Sequence, residues 1–380
     1  MAAALVISAP FAASVIVAPL YPLYQQKFRF SEIVLTLIYA AYVVGNLVAL
    51  LFLGQLSDQL GRKRVSLPAL GLAGVGAIVF LFASGTASLY VGRLVIGLAV
   101  GVLAGTGTAW LAEQTDRQRA TVIAAVANLS GVVVGPILGG LLAEYGPRPL
   151  ELPFIVYLAV LACVASVVAR IPESRPAQVE GLRGLRFRPR IGVPRDRVGA
   201  FVPPAVTGFV IFSLGGLYFA LIPSVLIREL HQRNAAIAGA IVAELAVMAI
   251  AAIVVTQRSE PYTAMRTGLA VLIPAVAVVV AAQAAHSMAL LIAATGLGGL
   301  ALGAGYVGSL RVVNELAPDE HRGAVASSYF LACFVGNSVP VIGVGVLSTL
   351  TTSLTASLVL ACTVAVLCSI TLSWSWRQRP

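Results

Sequence analysis

The chain holds 15 acidic side chains among 380 residues, and two of them stand out by position. Glu244 lies inside an apolar stretch, residues 239–251, with about ten mostly apolar residues on either side. In a helix rising about 1.5 Å per residue, this puts the carboxyl about 14 Å from either end. A charge at that depth in hydrocarbon costs about 2.5 kcal/mol or more on insertion scales. A carboxyl that loads and unloads a proton as its surroundings alternate could couple proton movement to another movement. A carboxyl held neutral by a neighbour could not, and the residue types leave both readings open. Asp58 is the second. It sits in residues 54–64, Gly-Gln-Leu-Ser-Asp-Gln-Leu-Gly-Arg-Lys-Arg. The glycines Gly54 and Gly61 allow a tight turn. Arg62, Lys63 and Arg64 cannot enter hydrocarbon, so they mark a water-facing loop. An aspartate ahead of three cations points to a local charge network rather than a plain basic patch.

Other polar groups fall at depth within apolar runs. Tyr42 and Asn46 are four apart and share a helix face. With Asn128, Tyr306 and Asn337 they are candidate substrate-cavity hydrogen-bonders, although bonding between helices would use the same groups. Arg311 is placed to pair with Glu315, four residues on. Glu113 is followed by Arg119 and Glu315 by Arg322, which makes these four candidate inner-gate charges. Arg93 begins a row with Gly97, Gly101 and Gly105, each four apart. Small residues in such a row let another helix approach closely. The arginine could point inward or snorkel to the outer interface. Gly131, Gly135, Pro136 and Gly139 form a second row, read either as close packing or, through the proline, as a hinge.

Several chemistries find no footing. Cys163, Cys333, Cys362 and Cys368 all lie in apolar runs and lack metal or redox spacing. His231, His286 and His321 are scattered, so no metal site is expected. A phosphate-cradling loop of the form Gly-x-x-x-x-Gly-Lys-Ser/Thr is absent. The chain does not read as an enzyme, no cofactor is implied, and energy is expected from an ion or substrate gradient, most simply of protons.

The elements that position these residues are dictated by composition. The sequence is 59% hydrophobic and 11% charged, with mean hydropathy +0.95. Ordinary soluble domains carry roughly 25% charged residues. An all-α integral membrane protein is expected, with about 20 apolar residues per crossing. Twelve spans are predicted, at 3–25, 33–54, 65–85, 88–112, 119–142, 153–171, 199–225, 235–256, 266–284, 287–313, 323–347 and 352–375. The first is read as a helix rather than a signal peptide, because it is long and has no flanking cation.

Net charge is +10. In a soluble protein that would suggest nucleic acid, but here the cations fall in alternate loops. With a cytoplasmic N-terminus, the inner loops hold Arg62, Lys63, Arg64, Arg117, Arg119, Arg258, Arg266 and Arg322. The outer loops hold Lys27, Arg29, Arg148, Arg228 and Arg233. That bias places both termini in the cytoplasm and explains the charge without nucleic acid. A polar segment at 172–198, with Arg175, Arg183, Arg186, Arg188, Arg190, Arg195 and Arg197, is expected to link two halves, 1–171 and 199–380, along the anionic inner leaflet.

The halves repeat. Gly97, Gly101 and Glu113 recur as Gly299, Gly303 and Glu315, each 202 residues later. Asp58 and Arg64 fall on Glu260 and Arg266 at the same offset, so the second copy of the charged loop has lost its glycines. A parallel duplication of this kind implies two six-helix bundles related by an axis along the membrane normal, with a ligand site near midplane.

Residues 54–64 resemble the signature loop between the second and third helices of the major facilitator superfamily, with every fixed position filled. The Arg93 row resembles the family's fourth-helix motif. Residues 131–140 resemble the Gly-x-x-x-Gly-Pro-x-x-Gly-Gly segment of its antiporter branches. Pro19-Leu20-Tyr21-Pro22 partly resembles a first-helix motif of the twelve-helix drug:proton antiporters. The resemblance covers the whole chain. It implies a secondary active transporter working by alternating access, with Asp58 meeting the start of the eleventh helix when the inner gate is shut. Proton-coupled efflux of a small organic molecule is the expected activity. A metabolite uptake symporter, or a receptor on the same fold, is the alternative. The resemblance places the coupling acid on the first or fourth helix, where none lies at depth; Glu244 is the substitute. A monomer in a bacterial inner membrane is expected.

Overall fold

The computed structural model describes residues 2–174, 191–318 and 320–377. Arg175, Arg183, Arg186, Arg188 and Arg190 of the expected linker lie outside them. Twelve helices among the described residues are long and apolar enough to cross a membrane, and they fall where the apolar runs predict.

The first span is broken. Helix α1 (Ala2–Ile16) passes through a short 3-10 turn (Ala18–Leu20) into α2 (Tyr21–Phe28). Pro19 and Pro22 sit at the breaks, where a missing N–H is least costly. The second span is α3 (Glu32–Val48), ending in a wide π-helical turn over Ala49–Leu53. A short helix, α4 (Leu56–Leu60), leads to Gly61, whose φ of 104° lies where a side chain is disfavoured. Then come α5 (Arg62–Leu81), α6 (Thr86–Gln114), α7 (Arg117–Tyr145) and α8 (Leu152–Arg170). The seventh span is α9 (Val198–Ala220), followed by α10 (Ile222–Arg228). The remaining spans are α11 (Ala235–Thr256), α12 (Pro261–Ala284), α13 (Met288–Leu316), α14 (Arg322–Leu350) and α15 (Ser353–Arg377). Asn234 caps α11, its Oδ1 accepting from the backbone N–H of Ala236 at 2.9 Å and Ile237 at 3.1 Å.

The chain packs as two compact units. One holds Met1–Arg29 and Ile38–Arg190, the other Phe30–Leu37 and Ile191–Pro380. The expected halves split at the linker alone. The structure differs in giving the first turns of α3 to the second unit, and Glu32 supplies the reason. Its Oε1 lies 2.6 Å from Arg228 Nη1 in an ion pair and its Oε2 accepts from Ser348 Oγ at 2.7 Å, both in that unit.

Within each unit the packing repeats the duplication. In the first, α1 packs on α7, α5 on α6 and α5 on α8; in the second, α9 packs on α14, α12 on α13 and α12 on α15. Small residues make this closeness possible. A Cβ at Gly131, Gly135 or Gly139 of α7 would strike the carbonyl oxygen of Ser8, Ala12 or Ile16 of α1, one contact per turn. The residues turned outward are large and apolar, among them Phe82, Val255, Leu350 and Ile370. Helices satisfy their own backbone groups, so such a surface suits a bilayer.

Candidate functional site

The charged loop forms a network within the first unit, with Arg62 at its hub. Arg62 is 3% exposed. Its Nε and Nη2 donate to Glu113 Oε1 at 3.0 and 2.8 Å, and its Nη1 donates to Ser57 Oγ at 2.6 Å. Asp58 Oδ1 lies 2.8 Å from Nη2. One guanidinium therefore joins α4 to the C-terminal end of α6. Its fork of five donors in a plane is what allows two carboxylates and a hydroxyl to share one cation. Glu173, beyond α8, completes the tie. Its carboxylate oxygens accept from the backbone N–H groups of Lys63 at 3.1 Å and Arg64 at 3.0 Å. These are two of the N–H groups that a helix start leaves without intrahelical partners. Lys63 Nζ also donates to the Ala169 carbonyl at 2.5 Å.

Glu113 and Arg119 each take another partner. Glu113 joins Arg62, while Arg119 meets Asp116 at 3.2 Å in the exposed first turn of α7. Arg311 does not reach Glu315. Its Nη1 instead donates to the carbonyls of Gln257 and Ser259 at 3.2 and 2.9 Å, where the end of α11 leaves acceptors free. Glu315 is exposed and forms no ion pair among the described residues. The duplication explains it: 202 residues after Arg62 stands Ala264. The second copy kept the acid and lost the base. Arg266, the counterpart of Arg64, turns to the C-terminal helix, donating to Ser375 Oγ at 3.1 Å and lying 4.5 Å from the Trp376 ring centroid.

Deeper in the first unit, the Arg93 row divides. A Cβ at Gly97 would strike the Tyr42 carbonyl oxygen, and one at Gly101 would come within 2.7 Å of Asn46 O. These two glycines hold α6 against the second span, and Gly299 and Gly303 of α13 do the same against α11 at Leu245 and Ala249. A Cβ at Gly105 would meet nothing within 4 Å. Arg93 does not snorkel; it is 1% exposed. Its Nη1 donates to the Ser14 carbonyl of α1. Its guanidinium carbon lies 4.8, 5.2 and 5.9 Å from the ring centroids of Tyr42, Tyr39 and Tyr21. Tyr42 is tied to Asn46, whose Nδ2 donates to the phenol oxygen at 3.4 Å. Asn128 is half-buried on α7.

In the second unit, Glu244 is half-buried on α11 and faces α13, where a Cβ at Gly296 would lie 3.7 Å from its Oε1. Next to that glycine, Thr295 Oγ1 donates to Tyr218 OH at 3.0 Å. Glu244 itself has no hydrogen bond or ion pair among the described residues. Tyr306 is buried in an aromatic group that sequence reasoning missed, 5.7 Å from Phe212, which lies 5.9 Å from Phe334. Asn337 is buried on α14, against which α9 packs at Gly216. Ser57, Glu173, Ser14, Tyr21 and Tyr39 were likewise not singled out. Only the tyrosines gave a signal, as phenols within an apolar run.

The fold and these sites define a helical membrane protein built from a duplicated six-span unit, with a charged turn beneath it and isolated ionisable groups within it. A family model described as Major Facilitator Superfamily matches residues 3–340, and the chain belongs to that superfamily of transporters. It is 31% identical over 137 residues to the Bacillibactin exporter of Bacillus subtilis (strain 168), covering 33% of this chain and 34% of that one. It is 26% identical over 200 residues to the Quinolone resistance protein NorA of Staphylococcus aureus (strain MRSA252), covering 52% and 50%. The chain spans a third to a half of the length of the curated relatives it matches. A solved bacterial homologue of the human lysosomal transporter Spinster shares its fold, with a TM-score of 0.68 at 14% identity over 99% of this chain and 93% of that one.

Proposed function

We propose that this protein is a proton-coupled exporter of small organic molecules, working as a monomer by alternating access in a bacterial inner membrane with both termini in the cytoplasm. The observation that carries the coupling is Glu244. It stands mid-helix in α11, half-buried, with no hydrogen bond or ion pair among the described residues. A carboxylate in the middle of a membrane span without a partner is costly in its charged form. Such a group responds to whichever aqueous phase reaches it, taking a proton from one and releasing it to the other. The direction is supported by the relatives, whose names describe an exporter and a drug-resistance protein. The α7 glycine row and the charged α4 turn fit the same reading, as a close helix contact and a ligated inner loop. No cofactor is needed; the proton gradient supplies the work.

The test is transport in proteoliposomes under an imposed pH gradient, with a quinolone and a lipophilic cationic dye as probes. Substrate should move against the proton flow. Glu244→Gln should abolish gradient-driven accumulation while leaving downhill exchange. Normal uphill transport by that variant would remove Glu244 from the mechanism. Movement of substrate along with protons would make the protein an uptake symporter, and binding without flux a receptor.

A further inference from the structure

Arg93 is one of the largest fully buried side chains in the protein, and its surroundings are unfinished. A guanidinium carries five donors. Its one hydrogen bond among the described residues goes from Nη1 to the Ser14 carbonyl. Its Nε is buried without a partner, and so is the hydroxyl of Tyr21, one of the three rings around it. Among the described residues, the positive charge meets π faces and one carbonyl but no carboxylate. Buried charges in proteins are ordinarily paired, because an isolated one forfeits hydration that ring faces restore only in part. A packing role does not require this: the small residues of α6 already hold the helices together.

We infer that Arg93 recognises the carboxylate of a transported amphipathic organic anion. A carboxylate accepts two parallel N–H bonds from a guanidinium in one plane. The unused Nε and the free Tyr21 hydroxyl are donors for it. The rings of Tyr21, Tyr39 and Tyr42 offer apolar faces to the remainder of such a molecule. A Lys in place of Arg93 would supply charge without the planar fork. The second unit is built for something else: 202 residues after Arg93 and Tyr42 stand Thr295 and Glu244. The pair of positions therefore holds a tyrosine and a buried cation in one unit, and a carboxyl and a threonine in the other. The inference rests on the transport reading for how a ligand reaches a cage that is closed in this structure.

The experiment measures binding rather than flux, on the purified full-length protein. Phenylbutyrate and its neutral amide are the probes, followed by tritiated ligand and by thermal stabilisation. Wild-type protein should bind the acid at least about tenfold more tightly than the amide, the scale of a charge-assisted hydrogen bond. Arg93→Gln should erase that preference, Arg93→Lys should keep part of it, and Tyr21→Phe, which preserves the ring, should weaken the acid a few-fold. Equal affinity for acid and amide, absence of binding by both, or an undiminished preference in a folded Arg93→Gln protein would overturn the assignment. Charge-selective binding of the acid without its transport would leave the site standing and sink the transport reading. Efflux of the quinolone with no carboxylate preference would do the reverse.

Discussion

Arg62 Nη2 donates to Glu113 Oε1 at 2.8 Å, and the duplicated position of that arginine is occupied by Ala264, leaving Glu315 without an ion pair among the described residues. The two carboxylates stand at equivalent positions of the repeat yet in opposite circumstances. Glu113→Gln should weaken the tie between α4 and α6, with a loss of about 1–2 kcal/mol, because a nearly buried guanidinium loses a charged acceptor. Glu315→Gln should change stability by less than about 0.5 kcal/mol, as an exposed substitution away from special features does. Thermal unfolding in detergent of the two variants side by side measures the difference. Equal effects would mean that Arg62 does not distinguish the C-terminal ends of α6 and α13.

Asp58 meets the same arginine but is much more open, its side chain 45% exposed against 3% for Arg62. Pairs in contact with water contribute about 0–1 kcal/mol. Asp58→Asn should therefore insert and fold almost normally. If the charged turn works as an inner latch, the variant should still lose most of its transport. Flux in reconstituted vesicles decides, with expression and thermal stability as controls. Wild-type flux would reduce Asp58 to a solvated partner of Arg62.

The spans, the duplication and the charged turn were legible because each rests on local pattern. Twenty apolar residues need a helix, cations need water, and a repeat at an offset of 202 needs only the chain itself. Partners brought together across the fold were not legible. Glu113 and Arg119 are close in sequence, but a helix end and a cap separate their directions, and Arg62 arrives from 51 residues away. The four-residue rule pairs Arg311 with Glu315. The rule puts two side chains on one face of a helix, yet it does not say that the unpaired carbonyls at the end of α11 are nearer. The Arg93 cage was invisible for the same reason, since Ser14, Tyr21, Tyr39 and Arg93 come from three different spans.

The glycine rows give a graded prediction. At Gly97 a methyl group would strike the Tyr42 backbone carbonyl, which cannot turn aside; at Gly105 it would meet nothing within 4 Å. Gly97→Ala should destabilise by about 1–3 kcal/mol, the usual cost of overpacking. Gly105→Ala should be neutral or slightly stabilising, since alanine is the better helix former by about 1 kcal/mol. Gly135→Ala should behave like Gly97→Ala, because the Ala12 carbonyl stands in its way. Thermal unfolding midpoints rank the three. A tolerated Gly97→Ala beside a damaging Gly105→Ala would contradict the packing of α6 on the second span.

Glu32 and Arg228 make a pair whose members are unequally covered: the carboxylate is 9% exposed and the arginine 45%, with Nη1 and Oε1 2.6 Å apart. The consequence is an asymmetry between single variants. In Glu32→Gln, Arg228 loses a partner but can turn to water, and the amide oxygen still accepts from Ser348, so the cost should stay below about 1 kcal/mol. In Arg228→Ala a mostly buried carboxylate is left with a single hydroxyl, which should cost about 2–3 kcal/mol, less than a fully buried pair would because one partner was already wet. Combining the two substitutions removes the stranded charge, so the double variant should regain most of what Arg228→Ala lost. A double-mutant cycle on unfolding midpoints reads this directly. If Glu32→Gln proved the more damaging single change, the carboxylate would be contributing through groups other than Arg228, and the anchoring of the first turns of α3 in the second unit would need another cause.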